Sequence, residues 1–303
     1  MKIERSMLFV PAMNPEMVAK AAASGADAVC IDLEDSVAPS DKLAARQATI
    51  KALEETDFGD RLRMVRVNGL DTPFAYRDFV EVVERAGEQI DRIMLPKVGC
   101  ATDVGFAERI LMQIEMNCGL SRRIGLEVQI ETAAGFLNVR EIASASTRIE
   151  AIVFGPGDYA ASMRMPSASI GEPDDNDRIY GAHRWHAVMH AVVAASRANG
   201  LMCMDGPYAG FKDHAGFERS CRVARAMGFD GKQCIHPGQL ATANSMFSPT
   251  PHEIAHAERV VAACQDHGAG VLDGRMVDAA NLRMARWVVE QAKLMRGPKE
   301  SAN

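Results

Sequence analysis

Short apolar runs alternate with longer amphipathic runs along the chain, and this alternation is the feature that most constrains the fold. The short runs indicate buried β-strands. The predicted strands are Ser6–Ala12, Ala26–Asp32, Leu62–Val67, Arg92–Pro96, Ile124–Ile130, Ile149–Phe154, Leu201–Met204 and Lys232–Ile235. The longer runs have the apolar spacing of helices. The predicted helices are Asn14–Ser24, Asp41–Glu55, Phe74–Ala86, Thr102–Asn117, Leu137–Ala145, His186–Asn199 and His214–Met227, and Ser162–Arg184 is predicted to be irregular.

Strands that alternate with helices indicate a parallel sheet, because each helix carries the chain back to the start of the next strand. Eight such units in about 240 residues favour a closed (β/α)₈ TIM barrel over an open doubly wound sheet. The open sheet is the alternative, and it would require a G-x-G-x-x-G turn after the first strand. Pro11–Asn14 stands at that place and is unlike such a turn. The predicted fold class is therefore α/β, with a TIM barrel.

A helical extension follows the eighth predicted strand. We predict a barrel domain over residues 1–248 and a helical lid or oligomerisation segment over residues 249–303. The second segment contains two predicted helices, a Gly-rich link and a frayed tail. These are Pro251–His267, Gly268–Gly274, Asp278–Met295 and Gly297–Asn303. The last helix has an apolar face made of Leu282, Ala285, Val289 and Ala292.

Composition excludes several classes of function. The chain carries 34 Lys and Arg against 40 Asp and Glu, a net charge of −6 with no basic stripe, so nucleic acid is not a predicted partner. No apolar run approaches the ~18 residues of a membrane helix, and the first run lacks the cleavage site of a signal peptide. The seven cysteines include no C-x-x-C pair, which is typical of reduced thiols. We therefore expect a cytoplasmic protein that does not bind membranes.

Ionisable side chains follow seven of the eight predicted strands, at the end where barrel enzymes carry out their chemistry. They are Asp32, Glu34, Asp35, Arg66, Lys97, Glu131, Asp158, Asp205 and His236. Clustered carboxylates repel one another unless a cation neutralises them. This acid-rich set predicts a hard divalent cation such as Mg²⁺, which takes one or two carboxylates and keeps its other positions for water and substrate. The alternative is that the carboxylates only cap helices or pair with Arg and Lys.

Glu131 and Asp158 end adjacent predicted strands, so both carboxylates can reach one ion, and we predict them as the metal ligands. The turn Gly155-Pro156-Gly157 comes directly before Asp158. Exposed backbone N–H groups in this turn would bind a substrate carboxylate.

Two further residues each have two interpretations. Lys97 is either a Schiff-base nucleophile or a charge partner of Glu34 or Asp35. Acidic surroundings raise the pKa of a lysine, which favours the charge partner. His236 either contacts the substrate or caps the following helix. Cys30 and Cys234 have no paired base in the pattern and are not predicted nucleophiles.

Seven stretches, in this order, resemble the motifs of the citrate lyase β-subunit/HpcH-HpaI aldolase family. They are Arg5–Pro11, Asp32–Val37, Val65–Asn68, Pro96-Lys97, Glu131–Gly135, Phe154–Tyr159 and Cys234–Gln239. Other stretches resemble most the malyl-CoA and β-methylmalyl-CoA lyases of that family. They are Asn68–Pro73, Asp158–Ser162, Trp185-His186, Asp205–Pro207 and the lid segment Gly274–Asp278, although Ala280 stands where family members often have Pro.

The resemblance implies a Mg²⁺-dependent carbon–carbon lyase, with Mn²⁺ as a substitute metal. Its substrate would be a 3-hydroxyacyl-CoA of the malyl-CoA or β-methylmalyl-CoA type. Cleavage through an enolate would give acetyl-CoA or propionyl-CoA and a 2-oxoacid such as glyoxylate. Glu131 and Asp158 would hold the metal, which is template and Lewis acid.

The resemblance also implies roles for other residues. Arg66 would bind the thioester oxygen and stabilise the enolate. Glu34 and Asp35 would position Lys97 and metal-bound water. Asp278 of a neighbouring subunit would move the proton at the α-carbon, which implies a homotrimer or hexamer with shared active sites.

Three other interpretations stay open. A citrate lyase β-subunit or a citramalyl-CoA lyase would share these motifs and act on another thioester. A pyruvate aldolase would share the barrel and the metal without CoA, and the lid segment disfavours it. A non-catalytic interaction protein on a retained barrel is disfavoured because Arg66, Glu131, Asp158 and Asp278 are all intact.

Overall fold

A closed barrel of eight parallel strands forms the larger part of the protein in the computed structural model, which describes residues 3–180, 184–264 and 269–296. The strands are β1 Ser6–Pro11, β2 Ala28–Asp32, β3 Leu62–Arg66, β4 Arg92–Leu95, β5 Gly125–Ile130, β6 Ile149–Phe154, β7 Met202–Asp205 and β8 Gly231–Cys234. They pair in chain order, and β1 also pairs with β8, with Ser6 opposite Lys232. The predicted TIM barrel and its eight strands are therefore confirmed.

Helices connect the barrel strands, and further helices follow β8. They are α1 Pro15–Ala22, α2 Lys42–Glu55, α3 (Ala75–Arg77, the π-helical Asp78–Val83 and Glu84–Ala86), α4 Ala101–Cys118, α5 Ala133–Leu137, α6 Val139–Ala143, α7 Pro156–Ser162, α8 Asp175–Tyr180, α9 His186–Ala198, α10 His214–Met227, α11 Leu240–Met246, α12 Pro251–Ala263 and α13 Ala279–Arg296. Short 3₁₀ turns are Pro39–Asp41, Gly87–Gln89 and Pro237–Gln239.

The prediction of an irregular stretch at Ser162–Arg184 was wrong in part, because α8 lies within it. This helix is polar and has no apolar period, so its start depends on side-chain hydrogen bonds. Asp174 Oδ1 accepts from the N–H of Asn176 at 2.8 Å, and the N–H of Asp174 donates to Asp177 Oδ2 at 2.7 Å. This is the reciprocal pattern of a capping box, with Asp in place of Glu.

Alternation along the strands directs one set of side chains into the barrel. The apolar members of this set form a buried core made of Met7, Ala28, Cys30, Leu62, Met64, Met94, Val153 and Met204. Along β3, Arg66 follows Met64 on the same face, and along β4, Arg92 precedes Met94. Charged side chains therefore lie beyond this core at both ends of the barrel.

The amino-terminal end of the barrel is closed by a buried ion cluster around Arg92. Its guanidinium contacts Glu4, Glu127 at 3.1 Å and Glu150 at 2.7 Å. Glu4 and Glu127 are fully buried, and each has one carboxylate oxygen with no hydrogen-bond partner among the described residues. Burial raises the pKa of both carboxyl groups, and the effect is larger at Glu127. The folded protein therefore disfavours the ionised form of both carboxyl groups.

Glu127→Gln is expected to change the free energy of unfolding by less than about 1 kcal/mol or to raise it, because glutamine mimics the protonated acid. Arg92→Met should lower it by about 3–5 kcal/mol, because two buried carboxylates then lose their cation. The folded state binds the proton more tightly than the unfolded state, so wild-type stability falls as pH rises above the ordinary glutamate pKa. Urea unfolding over a pH series that begins near the ordinary glutamate pKa should therefore show that the stability of Glu127→Gln increases relative to wild type as the pH rises. A larger loss for Glu127→Gln than for Arg92→Met would contradict this.

The chain divides into two compact units, one over residues 4–244 and a smaller one with Ile3 and the described residues from Ser245 onwards. In the smaller unit, α12 and α13 share a core of Ala257, Val260, Cys264, Val277 and Ala285. The predicted Gly-rich link is in part a β-hairpin, β9 Gly270–Leu272 and β10 Arg275–Val277. Its turn residues, Asp273 and Gly274, have φ of 52° and 74°, as a two-residue type I′ hairpin turn requires. Residues 265–268 and the predicted tail lie outside the described residues.

Candidate active site

Arg66 lies at the carboxyl end of β3, opposite Asp32 at the end of β2. Both side chains are buried, and they form a bidentate pair, with Nε donating to Oδ1 at 2.7 Å and Nη2 to Oδ2 at 2.8 Å. Burial disfavours both charges, but this pairing raises the pKa of Arg66 and lowers that of Asp32. The guanidinium also lies over the ring of Phe9, 5.1 Å from its centroid. Nη1 remains directed at Glu34, 3.1 Å from Oε2 but without hydrogen-bond geometry.

Lys97 follows β4 and is surrounded by carboxylates. Nζ donates to Glu34 Oε1 at 2.5 Å and to Asp35 Oδ1 at 3.4 Å, and it lies 3.8 Å from Asp158 Oδ1. Partial burial disfavours the cation, but the bond to Glu34 and the nearby acids outweigh it and raise the pKa of Lys97. A lysine held protonated in this way is a charge partner and a poor Schiff-base nucleophile.

The backbone of Lys97 has a strained conformation at the same site. Its φ is 52°, a left-handed conformation that is uncommon outside glycine. In this conformation its N–H donates to Glu131 Oε1 at 2.8 Å. Strain of this kind often marks a functional position, because neighbouring contacts must maintain it.

Glu131 follows β5, is only 1% exposed, and lies among other acids. Burial is the largest cause, and together with the negative charges of Glu34 and Asp158 it raises the pKa of Glu131 to about 8. The carboxylate therefore lacks a cation of its own, although Arg66 and Lys97 lie nearby. A divalent cation between Glu131 and Asp158 would supply that charge, so the donor set fits the predicted ion. No group of three or more His, Cys, Asp or Glu side chains suited to a metal occurs in the described ranges. With Glu131 and Asp158 as ligands, the protein would contribute two carboxylates and leave the other positions to water and substrate, as Mg²⁺ prefers.

The turn before Asp158 offers fewer free backbone N–H groups than the sequence predicted. The N–H of Gly155 donates to Ile130 O at 3.0 Å within the barrel, and Pro156 has no N–H. The N–H groups that remain at the start of α7 are those of Gly157 and Asp158. Gly155 is required for space, because a Cβ there would lie 2.5 Å from Glu131 Oε2.

Asp205 was predicted at the same mouth, and this prediction was wrong. Its carboxylate pairs with the buried Lys232 of β8, whose Nζ also donates to Gly206 O at 2.9 Å. That ammonium lies over the ring of Phe217 in α10, so the pair belongs to the layer between strands and helices. The sequence interpretation also missed Phe9, although its position two residues after the inward Met7 places it on the inner face of β1.

Two other candidate residues act as caps in this structure. His236 Nδ1 accepts from the N–H of Gly238 at 3.0 Å, and its ring stacks on Phe211 with centroids 5.0 Å apart. Asp278 lies in the smaller unit, where Oδ1 accepts from the N–H groups of Ala280 at 2.9 Å and Asn281 at 3.1 Å. The carboxylate of Asp278 is exposed, and its second oxygen is not used by this cap.

Comparison with known proteins identifies the class to which this barrel and site belong. Residues 5–237 match the model of the HpcH/HpaI aldolase/citrate lyase family, and the chain is a member of that family. It is 42% identical to an L-malyl-CoA/β-methylmalyl-CoA lyase of Cereibacter sphaeroides, over 96% of this chain and 95% of the relative. It is 38% identical to a (3S)-malyl-CoA thioesterase of the same organism, over 95% and 94%.

A solved structure shows the same fold. CitE of Mycobacterium tuberculosis, in complex with magnesium, acetoacetate and coenzyme A, is 30% identical, with a TM-score of 0.75 over 96% of this chain and 98% of that one. The family resemblance drawn from the seven motifs is therefore confirmed. No helix in the described parts of the chain is long and apolar enough to cross a membrane.

Proposed function

We propose that this protein is a Mg²⁺-dependent lyase that cleaves a malyl-CoA or β-methylmalyl-CoA type of 3-hydroxyacyl-CoA. The products would be a 2-oxoacid such as glyoxylate, with acetyl-CoA or propionyl-CoA. The observation that supports this most is the buried Glu131 carboxylate, which lies close enough to Asp158 and Arg66 at one barrel mouth for their charges to shift its pKa. The 42% identity to malyl-CoA/β-methylmalyl-CoA lyase over nearly the whole chain supports the same substrate class.

In the proposed reaction, the bond between the thioester α-carbon and the hydroxyl-bearing carbon breaks. The hydroxyl proton passes to solvent water, the hydroxyl carbon becomes the 2-oxoacid carbonyl, and the bonding electrons form an enolate on the thioester. Solvent in turn supplies the proton that Asp278 carries to the enolate, so the protons balance. When bound at Glu131 and Asp158, Mg²⁺ supplies Lewis-acid polarisation of the substrate oxygens.

This chain's own residues then stabilise charge and move protons. Arg66 donates to the thioester oxygen as negative charge develops there, and its pairing with Asp32 keeps it oriented before the substrate arrives. Lys97, held by Glu34 and Asp35, balances the acids of the mouth. Asp278 delivers the proton that the enolate takes at its α-carbon.

We infer that Asp278 acts on a neighbouring subunit's barrel, so the protein would assemble as a homotrimer or hexamer. Among the described residues of the barrel unit, the acids near the mouth pair with Lys97 or Arg66 or would bind the proposed metal, and none of them is left over to act as a base. A carboxylate on a separate small unit can close over an acyl-CoA and exclude water at the same moment. Its second oxygen is available for this role while the first caps α13.

A substrate panel tests the proposed function. Malyl-, methylmalyl- and citramalyl-CoA are incubated with the chelator-treated protein, with and without Mg²⁺ or Mn²⁺, and both the 2-oxoacid and free CoA thiol are measured. Metal-dependent release of 2-oxoacid with acetyl-CoA or propionyl-CoA is expected. Release of free CoA from malyl-CoA without 2-oxoacid would instead indicate the thioesterase activity named for the 38% identical relative. Full cleavage by the metal-free protein would contradict the proposed metal dependence.

A further inference from the structure

Gln129 lies directly before the proposed metal site on the same face of β5. Side chains two residues apart on a strand share a face, so Gln129 and Glu131 both point into the barrel. Gln129 is 3% exposed, and its Oε1 has no hydrogen-bond partner among the described residues. A buried acceptor that is left without a partner costs the fold stability.

The space beside Gly155 brings this amide close to the Glu131 carboxylate. A Cβ on Gly155 would lie 2.5 Å from Glu131 Oε2 and 2.9 Å from Gln129 Nε2. Both polar atoms thus occupy the volume that the missing side chain leaves free. The other carboxylate oxygen, Oε1, already accepts from the N–H of Lys97. Oε2 is therefore the oxygen whose direction depends on its remaining neighbours.

We propose that Gln129 is a positioning residue that orients Glu131 Oε2 through its amide and so strengthens metal binding at the mouth. This inference rests on the proposed function, because it takes Glu131 as a metal ligand. A residue that acts through a ligand affects metal affinity more than folding, and loss of such a partner typically weakens binding by about 10–100-fold.

Gln233 offers a matched control. It is the other buried glutamine in the described ranges whose Oε1 has no hydrogen-bond partner, and it is 5% exposed. It belongs to β8, which pairs with β7 and β1 and not with β5 or β6. Gln129→Met and Gln233→Met each replace a buried amide with an unbranched apolar side chain of similar size.

The test measures the Mn²⁺ dissociation constant of the full-length protein by electron paramagnetic resonance, without substrate, together with Tm, KM and kcat. Gln129→Met should raise the Mn²⁺ Kd by about 10–100-fold. Its turnover should recover as Mg²⁺ is raised, and Gln233→Met should bind Mn²⁺ like wild type. Comparable Tm values for the two variants would assign the difference to the site.

Two results separate this inference from the proposed function. An unchanged Mn²⁺ Kd in folded Gln129→Met overturns the inference, even if the wild type is an active lyase. A wild type that binds Mn²⁺ but cleaves no malyl-type thioester refutes the proposed function, while a weakened Kd in Gln129→Met still supports the positioning role.

Discussion

Glu131→Gln should abolish metal-dependent cleavage and yet leave a barrel that is at least as stable as wild type without metal. The carboxylate is buried beside Glu34 and Asp158, and both burial and their charges work against its ionised form. Removing that charge relieves the repulsion, and glutamine keeps an oxygen for the N–H of Lys97. The same change removes a proposed metal ligand. A Lewis-acid cation contributes several kcal/mol, so turnover should fall by ~10³-fold or more.

Thermal unfolding with and without Mg²⁺, together with steady-state kinetics, measures both effects. Wild type should gain Tm when Mg²⁺ is added, because a ligand that binds only the folded state stabilises it. Glu131→Gln should show no such gain, and Asp158→Asn should lose most of it.

Glu127→Gln is the matched control for this experiment. It removes a buried carboxylate from β5, the strand that Glu131 follows, at the opposite end of the barrel. It should keep both the Mg²⁺-induced Tm gain and the activity. Wild-type turnover in Glu131→Gln would refute the two-carboxylate site, and an equal loss in Glu127→Gln would point to general damage to β5.

The barrel could be predicted because short stretches of sequence identify each of its strands and most of its helices. Each strand is a short apolar run, each helix has its own period, and eight repeats leave few arrangements. The elements that escaped prediction lack such a period. Helix α8 is polar and depends on the capping bonds of Asp174 and Asp177, and the β9–β10 hairpin depends on two residues with positive φ. The Asp273-Gly274 pair is a recognised hairpin signal, but the flanking strands are only three residues each.

The residue types of the candidate site could be predicted, but which of their side chains point into the barrel was predicted less well. Arg66 and Asp32 face each other because both end their strands on the inner face. Asp205 also ends a strand, but it follows the inward Met204 and so points to the helix layer, where Lys232 meets it. Alternate residues of a strand point to opposite faces, so counting from the inward apolar residues would have shown that Asp32 and Arg66 point into the barrel and Asp205 points outward. The strained backbone of Lys97 could not be predicted, because it depends on Glu131, which follows another strand and is distant in sequence.

Asp278 gives the second prediction with a large effect, and its two roles can be separated by isosteric substitution. Asn is about as good a helix N-cap as Asp, whereas Ala is much poorer. Asp278→Asn should therefore keep the bonds to Ala280 and Asn281 that begin α13. It should still lose turnover by ~10²–10⁴-fold, because an amide cannot exchange a proton with the α-carbon. Normal turnover in Asp278→Asn with reduced stability in Asp278→Ala would show that Asp278 is only a cap.

Mixing Asp278→Asn with Glu131→Gln tests whether Asp278 acts between subunits. Each variant should be nearly inactive alone. If Asp278 serves a neighbour's barrel, a mixed oligomer contains sites with an intact Glu131 from one subunit and an intact Asp278 from the other. Random assembly of equal amounts makes about a quarter of all sites intact, so activity should recover to about that fraction of wild type. If Asp278 serves its own barrel, no site in the mixture is intact. Mixed oligomers verified by mass spectrometry that stay inactive, or a wild type that is active as a monomer, would refute the shared site.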